Sequence, residues 1–161
     1  MHAKAPEHPD TKPKVAVIGA GSMGAGIAAL CASAGLEVVL LDQDADAAAR
    51  GVETQLKRGG FYLDEDAARI STGSDYALLE DCDWVIEAIF EDLSAKHSLY
   101  TAIEAHLSPT AIVSSNTSTL PLSALVEGVA PTRRERFAIT HFFNPPKVMP
   151  LVELVVNSST D

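Results

Sequence analysis

The chain has 161 residues, 47% of them hydrophobic and 21% charged, which suits one ordinary globular domain with a full core. Its 12 Lys and Arg against 22 Asp and Glu give a net charge of −10, and no basic run can track a phosphate backbone, so nucleic acid is not an expected partner. No run approaches the ~18 apolar residues of a membrane span, and the opening MHAKAPEHPDTKPK has no apolar stretch of a secretory signal, so a soluble, cytoplasmic protein is expected.

Residues 1–13 combine prolines with small and charged residues and offer nothing to bury, which predicts a disordered tail. From Lys14 onward, strand-like and helix-like patterns alternate. VAVI (15–18) reads as a buried strand, followed by a helix over about 22–34 closed by Gly35, then EVVLL (37–41). A second helix over about 44–58 is stopped by Gly59 and Gly60. The stretch 61–81 offers a short helix at DEDAAR, a short strand near 70–72 and a helical turn at YALLED. WVIEAI (84–89) resumes the strands, followed by a helix over about 93–107 with Leu99, Tyr100, Ile103 and Leu107 on one face, and then AIVSS (111–115). A short helix near 122–126 precedes two final strands, FAITHFF and LVELVV. Continuous apolar strands separated by amphipathic helices predict a doubly wound α/β fold of Rossmann type, with a mostly parallel sheet and helices on both faces. Cys31 and Cys82 lie in apolar surroundings without CxxC spacing and read as reduced core thiols, with no metal site.

The run VAVIGAGSMGAGIA sets Gly19, Gly21 and Gly24 as GxGxxG between a strand and a helix. Gly19 permits the tight turn, Gly21 removes a side chain where a pyrophosphate approaches, and Gly24 allows close helix packing. The helix start, with Ser22 and Met23 in its first turn, offers N–H groups to the phosphates. Asp42 falls 23 residues after Gly19 at the end of the second strand, where a carboxylate can accept from a ribose 2′-hydroxyl and repel a 2′-phosphate. With no Lys or Arg after it until Arg50, the cofactor reads as NAD rather than NADP. Asp42 can equally cap the next helix.

The stretch RFAITHFFNPPKVMPLVELVV puts His141 and Glu153 on two apolar segments joined by a proline-rich turn. Glu153 sits among Leu151, Val152, Leu154 and Val155, where an unpaired carboxylate costs several kcal/mol, and His141 is the nearest suitable partner. Oxidising a secondary alcohol needs a base poised near neutral pH, and histidine with a carboxylate on its far nitrogen meets that need. Asn116 and Ser118, in SSNTSTL at another strand end, can bond a nicotinamide ribose or a substrate oxygen, or Ser118 can cap a helix.

The runs VAVIGAGSMGAGIA, WVIEAIFEDLSAK, AIVSSNTSTLPLSAL and RFAITHFFNPPKVMPLVELV together resemble the NAD-binding domain of the L-3-hydroxyacyl-CoA dehydrogenase family, from about Lys14 to Val156. The resemblance implies that His141 is the general base and Glu153 its partner, that Ser118 contacts the 3-oxygen of the substrate, and that Asn116 contacts the cofactor. By the same pattern, EAIxExLxxK implies that Ala88, Glu91 and Lys96 line the cofactor cleft near its nicotinamide end. Glu91 and Lys96 also fit a solvated helix start. The implied activity is oxidation of the 3-hydroxyl of an acyl-CoA in fatty-acid β-oxidation or butanoate metabolism. Family members continue into a helical C-terminal domain that covers the substrate and forms a homodimer, so the isolated chain is expected to be inactive. The segment LKRGGFYLDEDAARISTG is shorter than the helical arm with which the family helps bind coenzyme A. Two other readings stay open: a nucleotide-binding module without turnover, and a related Rossmann dehydrogenase acting on a hydroxy acid or sugar acid.

Overall fold

The structure is a computed structural model and describes residues 12–158 and 160, so the expected tail falls outside the described residues except for Lys12 and Pro13. The apolar runs form seven strands: β1 (Val15–Ile18), β2 (Val38–Leu41), β3 (Ile70–Gly73), β4 (Trp84–Glu87), β5 (Ile112–Ser115), β6 (Phe137–Phe142) and β7 (Val152–Val155). They join one sheet in the order β3-β2-β1-β4-β5-β6-β7. Every neighbouring pair from β3 to β6 is parallel, and β7 returns antiparallel to β6.

Four helices cover it: α1 (Ser22–Ser33), α2 (Ala45–Lys57), α3 (Leu93–Ile103) and α4 (Leu122–Glu127). Alternation along the strands explains the two layers. Val15, Val17, Val38 and Leu40 pack with Ile27 and Ala28 of α1 on one face. Ala16, Ile18, Val39 and Leu41 pack with Leu99 and Ile103 of α3 and Leu125 of α4 on the other. Each Val, Leu or Ile among them contributes about 1.5–3 kcal/mol when fully buried, so neither face tolerates exposure.

Helix ends follow the glycines and acids. At the end of α2, Gly59 takes φ +67° and the Gly60 N–H bonds the Gln55 carbonyl at 2.7 Å, a turn that satisfies the last carbonyls. Asp44, rather than Asp42, caps the start of α2 by accepting from the Asp46 N–H. The expected helix over 93–107 stops at Ile103 and tightens into a 3-10 turn, Glu104–His106. The DEDAAR and YALLED turns are both 3-10 turns, on either side of β3.

The apolar last strand overturns one expectation. All four residues of β7 are exposed, and the Glu153 side chain is 55% exposed, because the strand forms the outer edge of the sheet with no described helix over it. Its apolar composition does not reflect burial within this chain.

Candidate active site

Strand order reverses between β1 and β4, which opens a crevice beyond their C-terminal ends, where ligands bind in open α/β sheets. The glycine turn forms its floor. Gly19 takes φ +104°, and a Cβ there would lie 2.6 Å from the Ala88 carbonyl oxygen; a Cβ at Gly24 would collide with the Gly19 carbonyl. Those two glycines serve the fold. Gly21 differs: a Cβ there meets nothing within 4 Å, so the space beside it is left open by the protein itself. Gly21 is also the N-cap of α1, and no side chain caps the helix, so its first turn presents N–H groups and a positive dipole end to the crevice.

On one side of this turn a cleft of about 520 Å³ is lined by Asp42, Gln43, Tyr76 and Ile89 among others. Asp42 accepts from the Ala20 N–H at 2.8 Å and the Gln43 N–H at 2.7 Å, which fixes its carboxylate at the cleft wall while leaving each oxygen a further lone pair. On the other side a cleft of about 540 Å³ is lined by Met23, Glu91, Asn116, Ser118, His141 and Asn144. The two share Gly21, Ala88, Ile89 and Phe90 and so form one groove across the sheet.

In that second cleft β6 and β7 set His141 directly opposite Glu153 in register. Glu153 Oε2 lies 2.8 Å from His141 Nδ1, and the His141 ring stacks near Phe143 at 4.6 Å between centroids. A carboxylate on Nδ1 selects the tautomer whose lone pair is on Nε2, the form a general base requires. Asn116 accepts from the Phe142 N–H at 2.8 Å, tying the turn after β5 to the residue beside His141. Ser118 is exposed at the cleft and caps no helix; α4 begins at Leu122 with Pro121 as its N-cap.

A sealed polar cluster lies beneath. Glu87, at the end of β4, is 0% exposed, and its carboxylate accepts from Lys96, Ile89 N–H, Tyr100 and Ser115 at 2.6, 2.8, 3.0 and 2.6 Å. Glu91, 39% exposed, accepts from Thr117 and Thr119 and lies 3.2 Å from Lys96. Burial alone pushes the Glu91 carboxyl up, but the two hydroxyls and the Lys96 charge outweigh it and hold its pKa below the ordinary glutamate range. Burial, with the Glu87 charge beside it, pushes the Tyr100 phenol well up, so it remains a donor. Burial likewise raises the Cys31 and Cys82 thiols to about 11, which keeps them protonated and inert.

The expected site residues divide accordingly. Gly19, Gly21, Ser22, Met23, Asp42, Ala88, Glu91, Asn116, Ser118 and His141 line the groove, Glu153 stands behind His141, and Gly24 packs beneath the turn. Lys96 requires correction. Its side chain is 1% exposed and paired to Glu87 and Glu91, so it braces the wall from behind instead of lining it. Asn144 and Phe143 line the cleft without having been singled out, although both belong to the HFFNP run. Among the described residues no group of His, Cys, Asp and Glu can hold a metal ion, and no helix is long and apolar enough to cross a membrane.

Residues 14–161 match the profile of the 3-hydroxyacyl-CoA dehydrogenase NAD binding domain. The chain belongs to this family. It is 45% identical over 160 residues to a protein of Deinococcus radiodurans named a probable 3-hydroxyacyl-CoA dehydrogenase, covering 92% of this chain and 46% of that one. It is 37% identical to the human mitochondrial hydroxyacyl-coenzyme A dehydrogenase, covering 91% of this chain and 51% of the relative. Its fold superposes on Escherichia coli 3-hydroxybutyryl-CoA dehydrogenase with a TM-score of 0.81 at 34% identity, over 92% of this chain and 33% of that one. The chain thus spans about half the length of these two curated relatives. NAD is the cofactor of the family's Rossmann domain, and the residues here fit it: the open space at Gly21, the uncapped helix start and the Asp42 carboxylate are what a dinucleotide diphosphate and ribose require.

Proposed function

We propose that this domain carries the cofactor and the acid–base pair of an NAD-dependent dehydrogenase that oxidises the 3-hydroxyl of an acyl-CoA. The observation behind this reading is the cross-strand His141–Glu153 pair, 2.8 Å apart, in the same groove as the glycine turn and the Asn116–Ser118 turn. Asp42 serves the adenosine ribose at one end of the groove, Gly21, Ser22 and Met23 the diphosphate, and Ala88, Glu91 and Asn116 the nicotinamide end. NAD, when bound, supplies the acceptor for the hydride that leaves C3 of the substrate. His141 Nε2 takes the hydroxyl proton, Glu153 stabilises the imidazolium that results, and Ser118 holds the 3-oxygen as it becomes a carbonyl. In the reverse direction the same histidine returns the proton.

The reading includes a second, helical domain in the intact protein to cover the substrate and form a homodimer, with residues 14–161 acting as the Rossmann unit. Two buried, protonated cysteines support a reducing, cytoplasmic compartment.

The deciding experiment follows NADH oxidation with acetoacetyl-CoA, for this chain and for the same domain joined to its native C-terminal continuation. Turnover in the longer protein and NADH binding without turnover in the shorter one are expected. NADH binding without turnover in both would overturn the dehydrogenase reading in favour of a binding module.

A further inference from the structure

We propose that Glu87 is the positioning residue of this active site, a buried carboxylate that holds the Asn116–Ser118 turn through Ser115 and the Glu91 carboxylate through Lys96. The proposal rests on the substrate-oxygen role assigned above to Ser118.

Four donors from three segments meet at this one side chain: Ile89 N–H from the loop after β4, Lys96 and Tyr100 from α3, and Ser115 from the end of β5. Two of them, the ammonium and the main-chain N–H, can only donate. A glutamine at this place offers a single acceptor oxygen and no charge for Lys96, so a carboxylate is the group that satisfies the whole set.

Each donor then passes the restraint on toward the groove. Ser115 spends its proton on Glu87 Oε2 and uses a lone pair to accept the Thr117 N–H at 3.2 Å. The Asn116 N–H bonds the Glu87 main-chain carbonyl at 2.8 Å, so residue 87 anchors the turn by main chain and side chain together. Thr117 closes the circuit: its hydroxyl donates to Glu91, which Lys96 holds from the other side, and accepts from the Thr119 and Leu120 N–H groups. Ser118 sits at the centre of this turn with its own side chain exposed to the cleft. Its main chain is therefore fixed on both sides by groups that trace back to Glu87.

The test uses Ser115→Ala, which cuts the relay while leaving the Glu87–Lys96 pair intact, and Glu87→Gln as the stronger variant. In this chain, amide hydrogen exchange at Thr117 should accelerate at least ~10-fold in Glu87→Gln, where the Ser115 acceptor of that amide is retained, and NADH affinity should stay within ~3-fold of wild type in Ser115→Ala. In the intact enzyme, kcat with acetoacetyl-CoA should fall ~10-fold or more, with the pH profile retained in both variants and the KM for NADH retained in Ser115→Ala. Unchanged Thr117 exchange, or a kcat within ~2-fold of wild type at temperatures well below unfolding, overturns the positioning role. If the wild-type intact protein shows no turnover, the dehydrogenase reading fails and the exchange measurement still decides whether Glu87 holds the turn. If Glu87→Gln does not fold, Glu87→Asp, which keeps the charge for Lys96 but shortens the reach to Ser115, carries the exchange measurement.

Discussion

Two acid–base pairs stand at the C-terminal edge of the same sheet with opposite exposure. Lys96 and Glu87 meet at 2.6 Å with both side chains sealed, whereas His141 and Glu153 meet at 2.8 Å with the histidine 21% exposed and the glutamate more so. A pair sealed from solvent and from the groove meets no ligand and can only hold geometry. A pair whose imidazole opens onto the groove can meet a substrate there. On the proposed function, the fold separates scaffolding from proton chemistry by depth, with β5 between the two pairs.

The comparison breaks most severely at Lys96→Met, which leaves the Glu87 carboxylate buried without a counter-charge. A loss of ~3–5 kcal/mol in urea unfolding is expected. A loss below ~1 kcal/mol would mean that the deep pair is not structural. The open pair should respond in rate instead: His141→Gln in the intact enzyme should lower kcat by ~10²-fold or more, equivalent to about 2.7 kcal/mol of barrier, with NAD affinity almost unchanged. Parallel loss of cofactor binding would make His141 a structural residue.

Glu91 lies between the two extremes and sharpens the contrast least forcefully. Its folded pKa is depressed, so its contribution to stability is complete above the ordinary glutamate range and is lost as pH falls through the lower folded value. Glu91→Gln should therefore lower stability at pH 7 and flatten the acid side of the stability curve, so that variant and wild type converge as pH falls. Wild-type and variant curves of equal acid slope would remove Glu91 from the account.

Much of this architecture was legible in the chain itself. The runs VAVI and VVLL are uninterrupted because both faces of β1 and β2 are covered, and the two-glycine stop at Gly59 and Gly60 closes α2 as its spacing predicts. The His141–Glu153 pair was legible as chemistry, although the physical reason first attached to it does not hold. Glu153 is not buried; it finds His141 through strand register. Composition shows that a residue is surrounded by apolar neighbours in sequence but not whether anything covers them in space, and at a sheet edge the two diverge.

Glu87 is the converse case. It interrupts the apolar run WVIEAI as Glu153 interrupts LVELVV, and for Glu87 the argument from buried charge is correct. Its partners lie 9, 13 and 28 residues away, on other elements, where no local spacing rule reaches. For the same reason Lys96, expected to line the cleft, lies buried behind its wall.

The three glycines of the turn are indistinguishable as letters, yet they answer to different masters. An alanine at 24 is refused by the fold, and one at 19 by both its backbone angle and a neighbouring carbonyl. An alanine at 21 meets no such refusal, since Gly21 already has φ −66° and open space around it. Drift toward alanine at that position would pass unnoticed in any screen for folding and surface only where the dinucleotide is needed, so Gly21 is the residue at which a dead but well-folded copy of this domain would first betray itself.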